Sequence, residues 1–374
     1  MRLLDLTVLL LILVPPLLHR WHGMRLLARG ASPTRVATAG ALYYLVPPIT
    51  LFWMLGTDLP GRLAEVTGVE SLSLAAIWLP LLGGQWLHTY VAYQLDQRAR
   101  QAAWSFGEYA RSTQLVNILL AAFMGPMALG APILELLFPE PEEWFAWTAM
   151  AALLGLSLLF SWRVWRWCRI RFEPVEPALA ERLTALCQRL GLSPTAIQVM
   201  PMRHGKVANA FLAGFRESRC RILLTDYLLS ACTPEQVEVV VAHEVAHARL
   251  GHLRTRLWLS AGLFVLLLGL ASGWFWLARA LHLSRLLFVL PLCFLGFLPP
   301  LLAMPVLRRQ EFEADRWAAE ATGRGAELAA TLEHLERLNQ VDTAQLPRWI
   351  RLMVGHPVTR QRADALRALA GTGD

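Results

Sequence analysis

Two histidines four residues apart, with a glutamate directly after the first, are the residues of this chain best suited to chemistry. In His243-Glu244-Val245-Ala246-His247 the two imidazoles lie one helical turn apart on one face, so both can reach one metal ion. Glu244 points about 100° away around the helix axis and flanks that ion instead of binding it. There it can take a proton from a water molecule whose pKa zinc lowers to about 7. The spacing predicts a zinc site with Glu244 as the general base.

A catalytic zinc ion needs a third protein ligand, and two stretches could supply it. His252 lies five residues after His247, one short of the HExxHxxGxxH spacing, so it fits a helix end better than a ligand. Glu311 and Asp315 lie four residues apart, hence on one helical face. Glu311 can complete a site of two histidines and one glutamate, while Asp315 can accept a hydrogen bond from a ligand imidazole. The alternative is that these acids, with Glu313, form a surface charge run.

The helix that carries the paired histidines has clear boundary signals. Thr233 is a suitable N-cap, Pro234 takes the first helical position, Gln236 completes a capping box, and Gly251 follows the last turn. Apolar periodicity predicts a further helix and three short strands, over Pro174–Leu190, Ile197–Met200, Val207–Phe215 and Arg221–Thr225 respectively. These elements predict a small α+β domain around the zinc site.

The composition indicates a membrane protein. Of 374 residues, 55% are hydrophobic and 17% are charged, with a mean hydropathy of +0.41, whereas soluble domains carry about 25% charged residues. Disorder and a simple secreted domain are excluded on the same grounds. Seven stretches lack charged residues: Leu6–His19, Val36–Thr57, Ser71–Leu95, Ser112–Leu134, Trp144–Trp162, Leu257–Ala278 and Leu286–Leu307. All but the first have the length of a spanning helix, about 20 residues, and the first fits a retained helix better than a signal peptide.

The arginines indicate the orientation of these segments. The net charge is +7, but the arginines cluster beside apolar segments, which argues against a nucleic-acid partner. Alternate loops hold eleven basic residues and the intervening loops three: Arg20, Arg25, Arg29, Arg35, Arg98, Arg100, Arg111, Arg163, Arg166, Arg169 and Arg171 against Arg62, Arg279 and Arg285. This pattern predicts an N-terminus outside, with residues 163–256 and 308–374 in the cytoplasm.

The predicted fold class is therefore mainly α, a polytopic membrane protein with about seven transmembrane helices and a small zinc peptidase domain on the cytoplasmic side. Residues 1–166 would form a bundle of five transmembrane helices, and residues 257–307 a transmembrane hairpin. Residues 167–256 and 308–374 would form the two parts of the peptidase domain, the second of which supplies the third ligand.

The motifs resemble those of the integral-membrane zinc metallopeptidases that include the CAAX prenyl protease and the heat-shock protease HtpX. His247 is followed by Gly251-His252, as in the family's HExxHxxxGH, and Glu311-x-x-Ala314-Asp315 is similar to its ExxAD box. Asn209-Ala210-Phe211 resembles the NAF strand of the family, and His356-Pro357 with Arg362 resembles its HPxxxxR motif. The resemblance in motifs covers residues 175–374, and the first 165 residues match in hydropathy.

The resemblance implies a gluzincin-type domain with one Zn²⁺ held by His243, His247 and Glu311. It also implies that Asn209, on an edge strand, contacts the backbone of a substrate, although a turn asparagine is the alternative.

The C-terminal motif has two possible roles under the same resemblance. His356 and Arg362 would stabilise the tetrahedral oxyanion or brace the site, and the alternative for both is an ordinary surface position.

The function predicted from these features is a zinc metalloendopeptidase of a bacterial inner membrane. Its partners would be a peptide or membrane-protein substrate and the lipid bilayer. Two other functions are a sensor that cleaves only itself or one partner, and a catalytically inactive membrane scaffold. A complete set of ligands and base favours the enzyme.

Overall fold

The computed structural model describes residues 3–41, 43, 46–214 and 220–370, and the chain is mostly helical. The helices in chain order are α1 (Leu3–Ala28), α2 (Pro33–Ala41), α3 (Val46–Gly56), α4 (Leu59–Thr67), α5 (Leu72–Arg100), α6 (Phe106–Thr113), α7 (Leu115–Leu137), α8 (Glu143–Cys168), α9 (Pro177–Arg189), α10 (Asp226–Ala231), α11 (Pro234–Arg249), α12 (His252–Ala280), α13 (Arg285–Leu295), α14 (Leu298–Thr322), α15 (Gly325–Leu338), α16 (Arg348–Met353) and α17 (Thr359–Ala370). The strands are β1 (Glu173–Pro174), β2 (Ala196–Met200), β3 (Ala210–Ala213) and β4 (Arg221–Thr225). The predicted mainly helical architecture is confirmed.

Three helices of the described ranges, α7, α8 and α12, are long and apolar enough to cross a membrane. Their most apolar windows are 17%, 6% and 6% buried, so most of their side chains face outward. Val265 and Trp276 of α12, for example, are largely exposed. Because apolar surface of this extent is unfavourable in water, these faces suit contact with lipid.

Two of the predicted spanning segments are each divided between two helices. The stretch Val36–Thr57 falls on α2 and α3, with residues 42, 44 and 45 outside the described ranges, and Leu286–Leu307 falls on α13 and α14. Prolines lie in the first turn of each second helix, at Pro47 and Pro299, and a proline cannot donate the N–H that would continue the preceding helix. The prediction of one continuous helix is therefore wrong for Leu286–Leu307, whereas the junction within Val36–Thr57 lies largely outside the described residues.

The four strands form one sheet in the order β1-β2-β4-β3, which leaves β3 at an edge. β2 and β4 are parallel, whereas β3 pairs with β4 in antiparallel register. The predicted strands Ile197–Met200 and Arg221–Thr225 are confirmed by β2 and β4. The predicted strand Val207–Phe215 is shorter, because β3 covers only Ala210–Ala213, and Phe215 lies outside the described residues.

Helix α11 is packed on two sides. One apolar cluster joins it to α9 and the sheet around Leu183, Val241 and Ile222, all of which are fully buried. A second cluster joins its other face to α14, α15 and α17 around Ala242 and Leu328. Because interiors of this density resist displacement, the side chains of α11 keep a fixed direction.

The ends of α11 are those that the sequence predicts. Oγ1 of Thr233 accepts the N–H of Gln236 at 3.3 Å, and Oε1 of Gln236 accepts the N–H of Thr233 at 3.0 Å. Gly251 follows the helix with a φ of 68°, a left-handed conformation in which glycine is not strained. The turn at Gly251 lets α12 begin at His252.

Candidate metal centre

The atoms that could bind a metal converge between α11 and α14. Nε2 of His243 lies 3.2 Å from Nε2 of His247. Oε2 of Glu311 lies 3.6 Å from Nε2 of His243, and Oε1 of Glu311 lies 3.5 Å from Nε2 of His247. All three residues are buried, and one ligand atom from each lies within 4.8 Å of the other two.

These separations fit a tetrahedral zinc site. Two ligand atoms that are each about 2.1 Å from a zinc ion, at a tetrahedral angle, are about 3.4 Å apart. The three measured distances lie close to that value. Burial raises the pKa of Glu311, but hydrogen bonds with His243 and His356 outweigh it and lower the pKa. The buried carboxylate therefore stays ionised and can bind a cation.

Asp315 and Arg362 lie behind His243. Oδ1 of Asp315 is 2.9 Å from Nδ1 of His243, the ring nitrogen that faces away from His247. Arg362 donates two hydrogen bonds of 2.7 Å to the same carboxylate and is only 8% exposed. Burial raises the pKa of Asp315, but the hydrogen bonds with Arg362 and His243 outweigh it and lower the pKa. The carboxylate therefore stays ionised and can orient the imidazole.

His252 takes the corresponding place behind His247. Its Nδ1 lies 2.8 Å from Nδ1 of His247, and its Nε2 lies 3.3 Å from Oε2 of Glu313. His252, which the spacing placed at a helix end instead of among the ligands, begins α12, because α11 ends at Arg249 and the left-handed Gly251 turns the chain back toward α11. Glu313, which the sequence placed in a possible charge run, pairs with both His252 and Arg309.

The two imidazoles of α11 differ in their ease of protonation. Burial lowers the pKa of His243, but hydrogen bonds with Asp315 and Glu311 outweigh it and raise the pKa to about 9. Burial and the adjacent positive charge of His243 lower the pKa of His247 to about 2. His247 is therefore held in the neutral form that can bind a metal, and a metal ion held by both imidazoles would displace a proton from His243.

Glu244 faces the open edge of the sheet instead of the three converging atoms. It is half-buried, and its carboxylate accepts a hydrogen bond from the backbone N–H of Leu212 in β3. Burial raises the pKa of Glu244, which makes its carboxylate a stronger base. Glu244 and the edge strand are thus held side by side.

A cavity of about 550 Å³ opens over the converging atoms, a size that suits a segment of peptide. It brings together all six residues that the sequence predicts for catalysis and substrate binding, namely Asn209, Ala210, Phe211, Glu244, His356 and Arg362. His356 is largely exposed there, and its Nδ1 lies 2.9 Å from Oε2 of Glu311. Arg362 is buried against Asp315. Its contacts therefore favour a role in bracing the site over stabilisation of the oxyanion.

Arg256 is a residue of this centre that the sequence analysis missed. Its Nη2 lies 3.1 Å from Oε1 of Glu311, and its Nε donates to Oε1 of Gln310 at 2.8 Å. It follows His252 by four residues and so shares a helical face with it, which is the signal that could have identified it.

Comparison with known proteins identifies the family of the chain. The model of peptidase family M48 matches residues 174–370, slightly more than half of the chain. The chain therefore belongs to peptidase family M48. It is 26% identical over 295 residues to Protease HtpX of Xanthomonas oryzae pv. oryzae (strain MAFF 311018), a match that covers 69% of this chain and 98% of that protein. It is 28% identical over 216 residues to Protease HtpX of Glaesserella parasuis serovar 5, which covers 51% and 73% respectively.

A solved structure extends the likeness to the membrane part. The crystal structure of S. mikatae Ste24p matches 98% of this chain and 99% of its own, with a TM-score of 0.50 and 14% identity, which shows a shared fold. Together these findings make the chain a membrane metalloprotease, a hydrolase similar to HtpX and Ste24p. The family resemblance and the metallopeptidase function predicted from the motifs are confirmed, and peptidases of family M48 depend in general on zinc.

Proposed function

We propose that the chain is a zinc-dependent endopeptidase that cleaves membrane-associated proteins or peptides, with its zinc ion held by His243, His247 and Glu311. The observation that carries the proposal is the convergence of two imidazole nitrogens and one carboxylate within 4.8 Å, beside the carboxylate of Glu244. This donor set is the one that catalytic zinc sites use with a fourth position left open. Asp315 and His252 orient the two imidazoles from behind.

The chemistry divides between the metal and the side chains of the cavity. When bound, zinc polarises the scissile carbonyl and makes water more acidic. Glu244 takes the proton of the attacking water and then delivers it to the nitrogen of the leaving amine. His356 is exposed on the same side of Glu311, where its imidazole donates a hydrogen bond to the oxyanion.

The substrate binds as an added strand on β3. The edge of β3 borders the cavity, and an extended peptide there gains main-chain hydrogen bonds. Asn209 is exposed at this edge, and its Oδ1 accepts the N–H of Ala210 at 2.9 Å, which leaves its amide N–H₂ group for a substrate carbonyl. Phe211 supplies an exposed ring for contact with a substrate side chain.

The protein resides in a bacterial inner membrane with the peptidase part in the cytoplasm. The arginine-rich loops support this orientation, because basic residues favour the cytoplasmic side. The site is then accessible to cytoplasmic segments of membrane proteins.

Hydrolysis of an internally quenched peptide by the detergent-purified full chain tests the proposal. Cleavage should stop when a chelator removes the metal and return when zinc is added. Glu244→Gln should keep its zinc and lose about 10²- to 10⁴-fold in kcat, because general base catalysis contributes that much. The control is Glu320→Gln, which changes an exposed carboxylate that pairs with the exposed Arg316. Wild-type turnover in Glu244→Gln would remove Glu244 from the mechanism, and self-cleavage without peptide cleavage would favour the sensor.

A further inference from the structure

We propose that Asn339 limits how far a substrate can extend along the edge of the sheet, and thereby selects substrates by their length on one side of the scissile bond. The inference rests on the proposed function, since it takes β3 as the strand that receives the peptide. Asn339 follows the last residue of α15 and lines the same cavity as Glu244.

Backbone groups alternate in direction along β3 and the residues just before it. The carbonyl of Asn209 accepts the N–H of Thr225 at 3.0 Å, so Asn209 faces β4. In an antiparallel ladder every second residue points the same way, hence Ala208, Ala210 and Leu212 direct their backbone groups to the open side. The hydrogen bond from Leu212 to Glu244 agrees with this assignment. A peptide that extends the sheet would pair with the carbonyls of these residues, because the N–H of Ala210 donates to Oδ1 of Asn209 and that of Leu212 to Glu244.

Asn339 already occupies the first of the three positions. Its Oδ1 accepts the N–H of Ala208 at 2.8 Å, and its Nδ2 donates to the carbonyl of Ala208 at 2.9 Å. These two hydrogen bonds are the ones that a residue of a neighbouring strand would make. The amide therefore takes the place of one strand residue and closes the edge at Ala208, which leaves a peptide the carbonyls of Ala210 and Leu212.

Helices α2 and α5 form hydrogen bonds with the segments that carry Asn339 and Ala208. Thr34 of α2 is buried, and its hydroxyl donates to the carbonyl of Gln340, the residue after Asn339, at 3.4 Å. Nη2 of Arg100, the last residue of α5, donates to the carbonyl of Lys206 at 2.7 Å, just before the strand. A peptide would have to displace a contact that is anchored on both sides.

The position of Glu244 along β3 gives the number of peptide residues that fit between the scissile bond and Asn339. Glu244 lies at Leu212, and the four residues from Leu212 back to Ala208 span about 13 Å at about 3.3 Å per residue. About four extended peptide residues fit between the scissile bond and Asn339. They lie on the C-terminal side of the bond if the peptide runs antiparallel to β3, and on the N-terminal side if it runs parallel.

A series of internally quenched peptides, extended one residue at a time from either end, tests the inference on the full-length protein. Mass spectrometry locates the cleaved bond in each peptide. For the wild type we expect kcat/KM to fall about tenfold once the peptide extends more than about four residues beyond the scissile bond on one side. Extension beyond the bond on the other side should have no such effect. Asn339→Ala should raise the ratio of long-peptide to short-peptide kcat/KM about tenfold. Asn339→Asp should do so too, because a carboxylate of the same size cannot donate to the carbonyl of Ala208.

Gln345→Ala is the matched control, since that amide lies in the same segment and bonds to Asp342 and Ser32. It should leave the length limit unchanged. Equal cleavage of all lengths by the wild type, or an unchanged limit in both Asn339 variants, would overturn the inference and leave the proposed function standing. Failure of the zinc-loaded wild type to cleave any of the peptides would overturn both.

Discussion

Each imidazole of the proposed metal site is fixed through its second nitrogen. Nδ1 of His243 lies 2.9 Å from Asp315, and Nδ1 of His247 lies 2.8 Å from His252. A contact at Nδ1 selects the tautomer and ring orientation in which Nε2 is free to bind a metal. His252 therefore supports the site from outside the group of three converging atoms.

Replacement of His252 by alanine should weaken zinc binding without abolishing it. We expect about a 10- to 100-fold loss in affinity, because His247 loses the partner that orients its ring. Titration against a competing chelator measures the affinity, and His204→Ala, which changes an exposed histidine beside Glu108, is the control. Unchanged affinity would show that the contact between His252 and His247 does not contribute to zinc binding. Complete loss of zinc would instead indicate that His252 is a ligand.

The candidate site was predictable at the residue scale wherever helical spacing carries the information. His243 and His247, like Glu311 and Asp315, are four residues apart, and that spacing alone places each pair on one face. The spacing of Arg256 from His252 indicates a shared helical face, but its contact with Glu311 was not predictable, because that contact depends on how α12 packs against α14. The same holds for Asn339, whose partner Ala208 lies far away in the sequence.

At the scale of elements, Glu238 joins three helices beneath the metal site. It is 7% exposed in α11 and accepts hydrogen bonds from Arg182 of α9 and from Arg324, which precedes α15. Burial raises the pKa of Glu238, but the two arginines outweigh it and lower the pKa. The ionised form therefore stabilises the packing of α9 and α15 on α11.

Glu238→Gln should destabilise the fold by about 1–3 kcal/mol, because it leaves the half-buried Arg324 and the exposed Arg182 with a weaker partner in a buried position. Because the folded-state pKa is lowered, this stabilisation is present above the ordinary carboxyl pKa and is lost as the pH falls through the lowered value. Thermal unfolding in detergent should show a gap between wild type and Glu238→Gln at neutral pH that closes in acid. Glu320→Gln, in an exposed pair, should change stability by less than about 0.5 kcal/mol. A gap that persists in acid would contradict this role.

The elements themselves were predictable where local signals mark their ends. The capping box at Thr233 and the glycine at 251 defined α11, and β4 has the predicted bounds. The break between α13 and α14 was missed because apolar residues continue through it and conceal the effect of Pro299. The two-residue strand β1 is too short to leave a pattern, and only its pairing with β2 defines it.

At the scale of the whole molecule, the cavity depends on both the N-terminal helices and the peptidase part. Arg100 at the end of α5 lines the cavity with β3, and α2 contacts the segment after α15. Hydropathy predicted that the membrane segments exist, but their contacts with the peptidase part follow from side chains that no periodicity marks. The fold shared with Ste24p spans nearly the whole chain, in agreement with N-terminal helices and a peptidase part that form one structure.

The orientation of the chain is a prediction that rests on the arginine-rich loops. A protease recognition site inserted between α7 and α8, at Pro139, should be cut from outside in intact spheroplasts. The same site inserted at Gly30, between α1 and α2, should be protected until the membrane is opened, as should a C-terminal tag. Both insertion points lie in turns between helices. The reverse pattern of protection would place the peptidase part outside the cell.

The zinc content of Glu311→Gln, measured beside the wild type and Glu313→Gln, tests the proposed metal centre most directly. Glu313 lies two residues further along the same helix, and its carboxylate faces His252 and Arg309. We predict about one zinc ion per chain in the wild type and in Glu313→Gln, and a small fraction of that in Glu311→Gln, which loses one of three protein ligands. Normal zinc content and affinity in Glu311→Gln, or a folded wild type that takes up no zinc, would contradict the metal centre described above.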